Sequence, residues 1–174
     1  ERLAVFAGDF SLDAAEAVCT TDDVDAASVL DLITRLVDRS LVVAEPRQGD
    51  EPTCYRLLET LRLYALERLL EHGEVDDARA CHAAWMNRCA EQLLRAVHGP
   101  DQGRWLRWAE REHDDARTVL TWALEQNQAD LAARVAAALS WSWLVHLRWS
   151  EGIEWVHKIL ALPDAAPTGE RGML

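Results

Sequence analysis

The sequence predicts a mainly α-helical protein with one β-hairpin in its first half. Over most of the chain, apolar residues recur at three- and four-residue steps, which is the spacing of one helix face. Two short apolar runs, SLVVAE (40–45) and TCYRLL (53–58), flank PRQGDEP, a segment rich in turn-forming residues. We therefore expect a helical chain that is interrupted once by two antiparallel strands.

The first 73 residues are predicted to form one subdomain. Residues 1–7 have the pattern of a helix end, stopped by Gly8. Ser11 and Asp25 suit the N-caps of two short helices, because their side-chain oxygens accept hydrogen bonds from first-turn amides. The second helix, 25–38, has one apolar face, formed by Val29, Leu30, Ile33, Leu36 and Val37. Short helices followed by a hairpin are the arrangement of a winged-helix domain, which we expect over residues 1–73.

The segment after the hairpin, YRLLETLRLYALERLL (55–70), is predicted to be a packed helix. Leu58, Leu61, Ala65 and Leu69 recur at helical spacing and are expected to line one buried face. Gly73 suits its C-terminal cap. This helix is interpreted as the junction between the winged helix and the rest of the chain.

Residues 74–174 are predicted to be a helical linker followed by antiparallel helical hairpins. Five helices fit, at about 75–97, 101–111, 114–126, 129–147 and 150–161. VLTWALEQ and GIEWVHKI align at an offset of 33 residues, close to the tetratricopeptide period. The expected fold class is mainly α: a winged-helix-like subdomain with one hairpin, followed by an antiparallel, tetratricopeptide-like solenoid segment.

The charge of the chain bears on its partners. There are 18 basic and 30 acidic residues, a net charge of −12, and residues 1–73 hold 7 basic and 15 acidic residues, a net −8. Proteins that bind polyanions normally present a basic face. We therefore expect no direct nucleic acid binding by this segment and no membrane binding. Scattered cysteines and the absence of a long apolar stretch predict a cytoplasmic protein.

The sequence shows no catalytic or metal-binding pattern. The cysteines at 19, 54, 81 and 89 match no zinc spacing. The densest polar cluster, EREHDD (110–115), lies on consecutive helical residues, which diverge by roughly 100° each. The phosphate-binding pattern G-x-x-x-x-G-K-[ST] does not occur. We expect no enzyme activity, no metal and no cofactor in this segment.

Four segments in order resemble bacterial STAND-type regulators, which include LuxR-type and AfsR-like transcriptional regulators and their cyclase-fused relatives. The segments are RLAVFAGDFSLDAAEAVC, LDLITRLVDRSLVVAE, YRLLETLRLYALERL and WLRWAEREHDDARTVLTWALEQ. The resemblance covers residues 1 to about 160 and implies a piece of a longer protein. There, an NB-ARC-like ATPase that binds ATP or ADP precedes a winged helix and a tetratricopeptide-like sensor array. It implies a non-catalytic regulatory segment that couples this ATPase to the sensor and controls transcription.

The resemblance also implies which residues face the ATPase module. In related plant and animal proteins, a Met-His-Asp motif contacts bound ADP at the position of Leu57, Leu58 and Glu59. Leu58 stands where the motif has His, and a leucine cannot donate a hydrogen bond to phosphate. The implied contacts with the ATPase module are Glu59 and Arg62.

A tryptophan-rich stretch, WSWLVHLRWSEGIEW (141–155), is the candidate protein interface. Tryptophan contributes large apolar area and one hydrogen-bond donor. The candidates are Trp141, Trp143, Trp149 and Trp155, which equally suit core packing. Expected partners are the ATPase module, an unknown ligand or protein at the helical repeats, and a second copy. Two alternatives remain open: a DNA-binding winged-helix transcription factor domain, and a helical protein-interaction scaffold.

Overall fold

The computed structural model describes residues 1–47, 52–96, 99–100 and 102–163. Over these ranges the chain is mainly helical and holds one small antiparallel sheet, which confirms the predicted fold class. It forms two compact units, Glu1–Trp85 and Met86–Leu174. The helix α4, Val75–Ala96, runs through the boundary between them.

The first unit begins with a short 3-10 helix, Arg2–Val5, in place of the predicted α-helix end. Two α-helices follow, α1 at Leu12–Cys19 and α2 at Ala26–Asp38. Both predicted N-caps are confirmed. The Ala14 amide donates to Ser11 Oγ at 3.2 Å, and the Ser28 amide donates to Asp25 Oδ1 at 2.7 Å.

The predicted hairpin is confirmed, and a third strand extends it. Strands β2, Val42–Glu45, and β3, Cys54–Leu57, pair antiparallel with Val42 opposite Leu57. A further strand, β1 at Phe10–Ser11, pairs with the other edge of β3, so the order is β1-β3-β2. A strand of two residues has no alternating pattern that sequence analysis can detect. Residues 48–51 of the predicted turn lie outside the described residues.

Aromatic contacts form the centre of the first unit. The Phe6 ring lies 4.9 Å from the Phe10 ring and 4.7 Å from the His82 ring, measured between centroids. The third helix, α3 at Glu59–Glu71, buries Leu69 in the same cluster. The first turns of α4 also belong to this core, which Trp85 packs against. The first unit therefore continues to Trp85, whereas sequence analysis placed the boundary after residue 73.

The second unit is helical in its described part. After α4 come α5, Gln102–Arg111, α6, His113–Glu125, α7, Ala129–Val145, and α8, Trp149–Leu160. Helix α7 packs against α5, α6 and α8 and is buried on most of its sides, as its apolar composition predicts. At Gly152 of α8, an added Cβ would lie 2.9 Å from Trp143 Cε3, so α7 and α8 approach too closely for a larger residue there.

Four helices end on a residue in the left-handed conformation. At the ends of α2, α3, α6 and α7 these residues are Ser40, Gly73, Asn127 and Leu147, with φ between 55° and 72°. At each end, the amide of the following residue donates to a carbonyl five residues earlier, for example Arg148 to Trp143 at 2.9 Å. This is the Schellman cap, which satisfies carbonyls that the helix leaves unpaired.

Leu147 is the costly member of this set. Glycine adopts the left-handed conformation without strain, whereas an L-residue with a Cβ costs roughly 1–2 kcal/mol there. The Leu147 side chain is 77% exposed, so burial offsets little of that cost.

Replacing Leu147 with glycine is expected to raise the free energy of unfolding by about 0.5–1 kcal/mol, since strain is relieved at some cost in chain entropy. Urea titration followed by circular dichroism measures the change. Gly73→Ala is the opposite control. Nothing lies within 4 Å of its added Cβ, so the expected loss of about 1 kcal/mol reports backbone strain alone. If Leu147→Gly is no more stable than the native chain, the backbone at Leu147 is not strained.

His82 should make the first unit sensitive to acid. Burial lowers the pKa of His82 from 6.5 to about 4, because a charged imidazole is poorly solvated there. The unfolded chain therefore binds a proton more readily than the folded chain, and stability is lost as pH falls from about 6.5 towards 4. The loss at pH 4 is about 3 kcal/mol relative to pH 7.

Urea unfolding of the native chain and of His82→Leu at pH 7 and pH 4 measures this contribution. The variant keeps the acid sensitivity of the carboxylates, so the difference between the two chains isolates the histidine. We expect the variant to lose about 3 kcal/mol less than the native chain on acidification. Identical pH dependence in both chains would show that His82 is not the titrating group.

Candidate nucleic-acid interface

Helix α2 occupies the position of the recognition helix, directly before the hairpin. Val29 and Ile33 are buried and hold α2 on the core of the first unit. Leu36 and Val37 are half-buried on the same side. Leu30, predicted to share this face, is instead exposed, because it lies at the edge of the helix face that meets the core.

The opposite side of α2 faces solvent and is polar. It presents Asp31, Thr34, Arg35 and Asp38, and Arg39 follows at the C-cap. Arg35 and Arg39 lie one turn apart, and neither makes an ion pair within the part of the chain that the structure describes. Two cations are therefore available on this surface. The carboxylates of Asp31 and Asp38 lie beside them and weaken the local positive potential.

The arginines of the hairpin are neutralised. Arg47 Nη2 lies 3.0 Å from Asp9 Oδ2, and Arg56 Nη2 lies 3.2 Å from Glu45 Oε1. Arg56 Nε also approaches Asp9 Oδ1, at 3.5 Å. In the described part of the first unit, the arginines with no carboxylate partner are Arg35 of α2, Arg39 at its C-cap and Arg79 of α4.

A groove of about 380 Å³ runs between the 3-10 helix, the end of α1 and α2. Leu32 and Leu36 form part of its apolar wall, and Arg35 and Arg39 also line it. Cys19 borders the groove, and burial raises the pKa of its thiol to about 11. The thiol is therefore protonated at neutral pH and is a poor nucleophile.

The helix α3 is less buried than sequence analysis predicts. Of the four residues expected on its buried face, Leu69 is buried and Leu61 and Ala65 are half-buried, but Leu58 is exposed. Leu63, Tyr64 and Leu70 are exposed as well. The prediction that α3 lies in the interior is wrong for these exposed residues. The helix packs along the narrow 3-10 helix and meets the core mainly through Leu69.

Glu59 and Arg62 of α3 bind each other. Arg62 Nε and Nη2 donate to the two Glu59 carboxylate oxygens, each at 2.9 Å, and this hydrogen bonding lowers the pKa of Glu59. Arg62 Nη1 also donates to the Ala4 carbonyl at 3.4 Å. The pair fastens α3 to the N-terminal segment. Contact of these residues with an ATPase module stays a prediction.

The four tryptophans of the candidate protein interface differ in burial. Trp143 and Trp155 are buried, Trp141 is half-buried and Trp149 is largely exposed. Trp143 packs against Gly152, where α7 and α8 meet. Of the four, Trp149 has the most surface available to a partner, and the interface itself stays a prediction.

Within the described ranges, no three His, Cys, Asp or Glu side chains are placed to hold a metal ion. Side chains of the cluster at 110–115 bind different partners, in α8 and in the turn between α7 and α8. His113 Nε2 lies 3.0 Å from Glu151 Oε2 in α8, while Glu110 binds Arg148 at 2.7 Å. Among the described helices, none has the length and apolarity that a membrane span requires.

Comparison with known proteins agrees with the geometry of the first unit. Residues 1–70 match the family described as a winged helix-turn-helix domain. A Mycobacterium tuberculosis protein, provisionally named an HTH-type transcriptional regulator, is 41% identical over 159 residues, which is 91% of this chain and 18% of the relative. A Mycobacterium bovis protein with the same type of name gives the same values. An uncharacterized Mycobacterium tuberculosis protein is 42% identical over 99 residues, 56% of this chain and 24% of its own length.

The chain thus spans less than a fifth of the length of the two named regulators. No solved structure matches it.

These matches contradict the prediction that the segment does not bind nucleic acid directly. A winged helix-turn-helix domain over residues 1–70, with regulators as relatives, points to DNA contact. The prediction failed because it inferred the absence of a nucleic-acid-binding surface from the net charge of residues 1–73. Contact with DNA depends instead on the few side chains that one helix presents, and α2 presents two unpaired arginines.

Proposed function

We propose that residues 1–70 are the DNA-contacting winged helix of a bacterial transcription regulator that acts in the cytoplasm. The observation that carries the proposal is the helix α2, placed before the hairpin in a segment that matches a winged helix-turn-helix domain. In helix-turn-helix proteins the recognition helix enters the major groove. On α2 this surface holds Asp31, Thr34, Arg35 and Asp38.

The charges of α2 set the character of this contact. Arg35 and Arg39 bind phosphate oxygens or guanine edges, and each bidentate arginine–guanine pair contributes about 1–3 kcal/mol of discrimination. Asp31 and Asp38 repel phosphates, but a carboxylate accepts a hydrogen bond from the amino group of cytosine. With two cations, nonspecific affinity is low and specificity depends on base contacts. The logarithm of the binding constant should fall against that of salt concentration with a slope of about −2.

Replacing both Arg35 and Arg39 with alanine is expected to abolish this salt dependence and to weaken DNA binding at least tenfold, because two phosphate or base contacts are lost. Fluorescence anisotropy with a labelled mixed-sequence duplex at low salt measures the effect. Arg104→Ala is the control outside the first unit, since it removes one exposed arginine from α5.

The converse substitutions test the same surface. Asp31→Asn with Asp38→Asn removes two carboxylates beside the arginines and is expected to tighten binding roughly thirtyfold, from about 1 kcal/mol for each charge near a phosphate. If DNA binding is absent in every variant, or if Arg104→Ala reduces it as much as the α2 variants do, α2 is not the contact helix.

A second function is favoured by the exposed apolar side of α3. We propose that the first unit also transmits a signal within a longer STAND-type protein, between an NB-ARC-like ATPase that binds ATP or ADP and a tetratricopeptide-like sensor. Leu63 and Leu70 lie seven residues apart on one side of α3 and are both exposed, and aligned apolar side chains of this kind are typical of protein-binding surfaces.

Hydrogen–deuterium exchange of α3 tests this second function. The amides of α3 should exchange more slowly in the longer parent protein than in the 174-residue chain, because an apolar neighbour covers that side of the helix. Leu63→Glu in the parent should restore fast exchange. Equal exchange rates in the two proteins would show that α3 has no such neighbour.

A further inference from the structure

Helix α8 has two apolar sides, and α7 covers one of them. Gly152, Trp155 and Ile159 are buried where α8 packs against α7. The other side carries Trp149, Ile153, Val156 and Leu160, at steps of four, three and four residues, and we call it the α8 stripe. Trp149, Ile153 and Leu160 are 53%, 56% and 55% exposed. Large apolar side chains aligned in this way on a helix are typical of a packing surface.

The repeat within the chain shows what kind of element packs on such a surface. At the offset of 33 residues, Trp149, Ile153 and Val156 correspond to residues of α6, namely Ala116, Leu120 and Ala123. All three α6 residues are fully buried, in a helix that packs against α5 and α7. The equivalent surface of α6 is therefore covered by neighbouring helices. The α8 stripe carries larger side chains than the equivalent surface of α6, so covering it buries more apolar area and contributes more stabilising free energy.

The charges around the α8 stripe favour a second copy of the chain as its cover. Two copies of a chain with a net charge of −12 repel each other, so self-association needs a surface without carboxylates. The positions that border the stripe on its open flank are Ser150 and His157, whereas Glu151 and Glu154 lie on the opposite side of the helix. Apolar contact between copies therefore brings no carboxylates together.

The order of side chains along the stripe is also self-complementary. When two α8 helices pack antiparallel about a point between Glu154 and Trp155, Trp149 lies opposite Leu160 of the partner subunit. Ile153 then lies opposite Val156 of the partner subunit. A two-fold interface requires this relation, in which the same surface serves both copies.

We propose that the chain forms a two-fold dimer in which the α8 stripes of two copies pack antiparallel. The exposed residues at the end of α7, Val145 and Leu147, lie close to the stripe in sequence and extend the apolar area.

Sedimentation velocity of the 174-residue chain over a wide concentration range tests the dimer. The native chain should sediment as a dimer at high concentration. Ile153→Glu should raise the dissociation constant at least about tenfold, since it places two carboxylates in the interface. Ile153 is exposed in the monomer, so the variant should keep its fold, and circular dichroism verifies this.

Leu94→Glu is the matched control, because it places the same charge on an exposed leucine of α4. Retention of the dimer in Leu94→Glu together with its loss in Ile153→Glu supports the α8 interface. A native chain that remains monomeric at every concentration would overturn the proposal. So would an oligomer that Ile153→Glu leaves intact or that Leu94→Glu disrupts, since association would then run through another surface.

Discussion

The first unit depends on the contact of Phe6 with Phe10 and His82. These three rings join the N-terminal segment and the short strand β1 to the helix α4, which is far from both in sequence. Val29 and Ile33 of α2 are buried in the hydrophobic cluster that Phe6 and Phe10 belong to. The direction in which α2 points its polar side is therefore set by a core that is built largely from other elements. Burial lowers the pKa of His82, so the imidazole in this core is neutral at neutral pH.

The distribution of charge is compatible with the DNA contact that we propose for this acidic chain. Most arginines of the first unit have partners: Arg2 approaches Glu74, Arg56 binds Glu45 and Arg62 binds Glu59. Such exposed or half-exposed pairs contribute little stability, but they remove cations from the surface. Arg35 of α2, Arg39 at its C-cap and Arg79 of α4 escape this pairing. A total charge counts paired and unpaired groups alike, and for this reason it misjudged the partner of the first unit.

Sequence analysis predicted most of the fold, because the periodic pattern of long helices and the N-caps of α1 and α2 are local signals. The hairpin was found for the same reason, from its turn residues and flanking apolar runs. What it missed depends on distant contacts. β1 is a strand only because it pairs with β3, and the first unit extends into α4 only because His82 and Trp85 reach its core. The exposure of Leu63 and Leu70 could not be predicted from the sequence either, because periodicity shows that a helix face is apolar but not whether a neighbouring element covers it. For the candidate site, the position of α2 followed from the pattern. The unpaired state of Arg35 and Arg39 required coordinates.

The Schellman caps at the ends of α2, α3, α6 and α7 have a consequence for how such chains vary in length. Each cap uses hydrogen bonds between residues at fixed separations. The chain therefore changes direction within two or three residues, and the connection cannot accommodate an extra residue. An inserted residue at any of these four helix ends would break the capping hydrogen bond and rotate the next helix by roughly 100°, turning its apolar side away from its neighbour. Insertions and deletions among natural variants should therefore avoid these helix ends, and the spacing between the helices should be kept even where their side chains change.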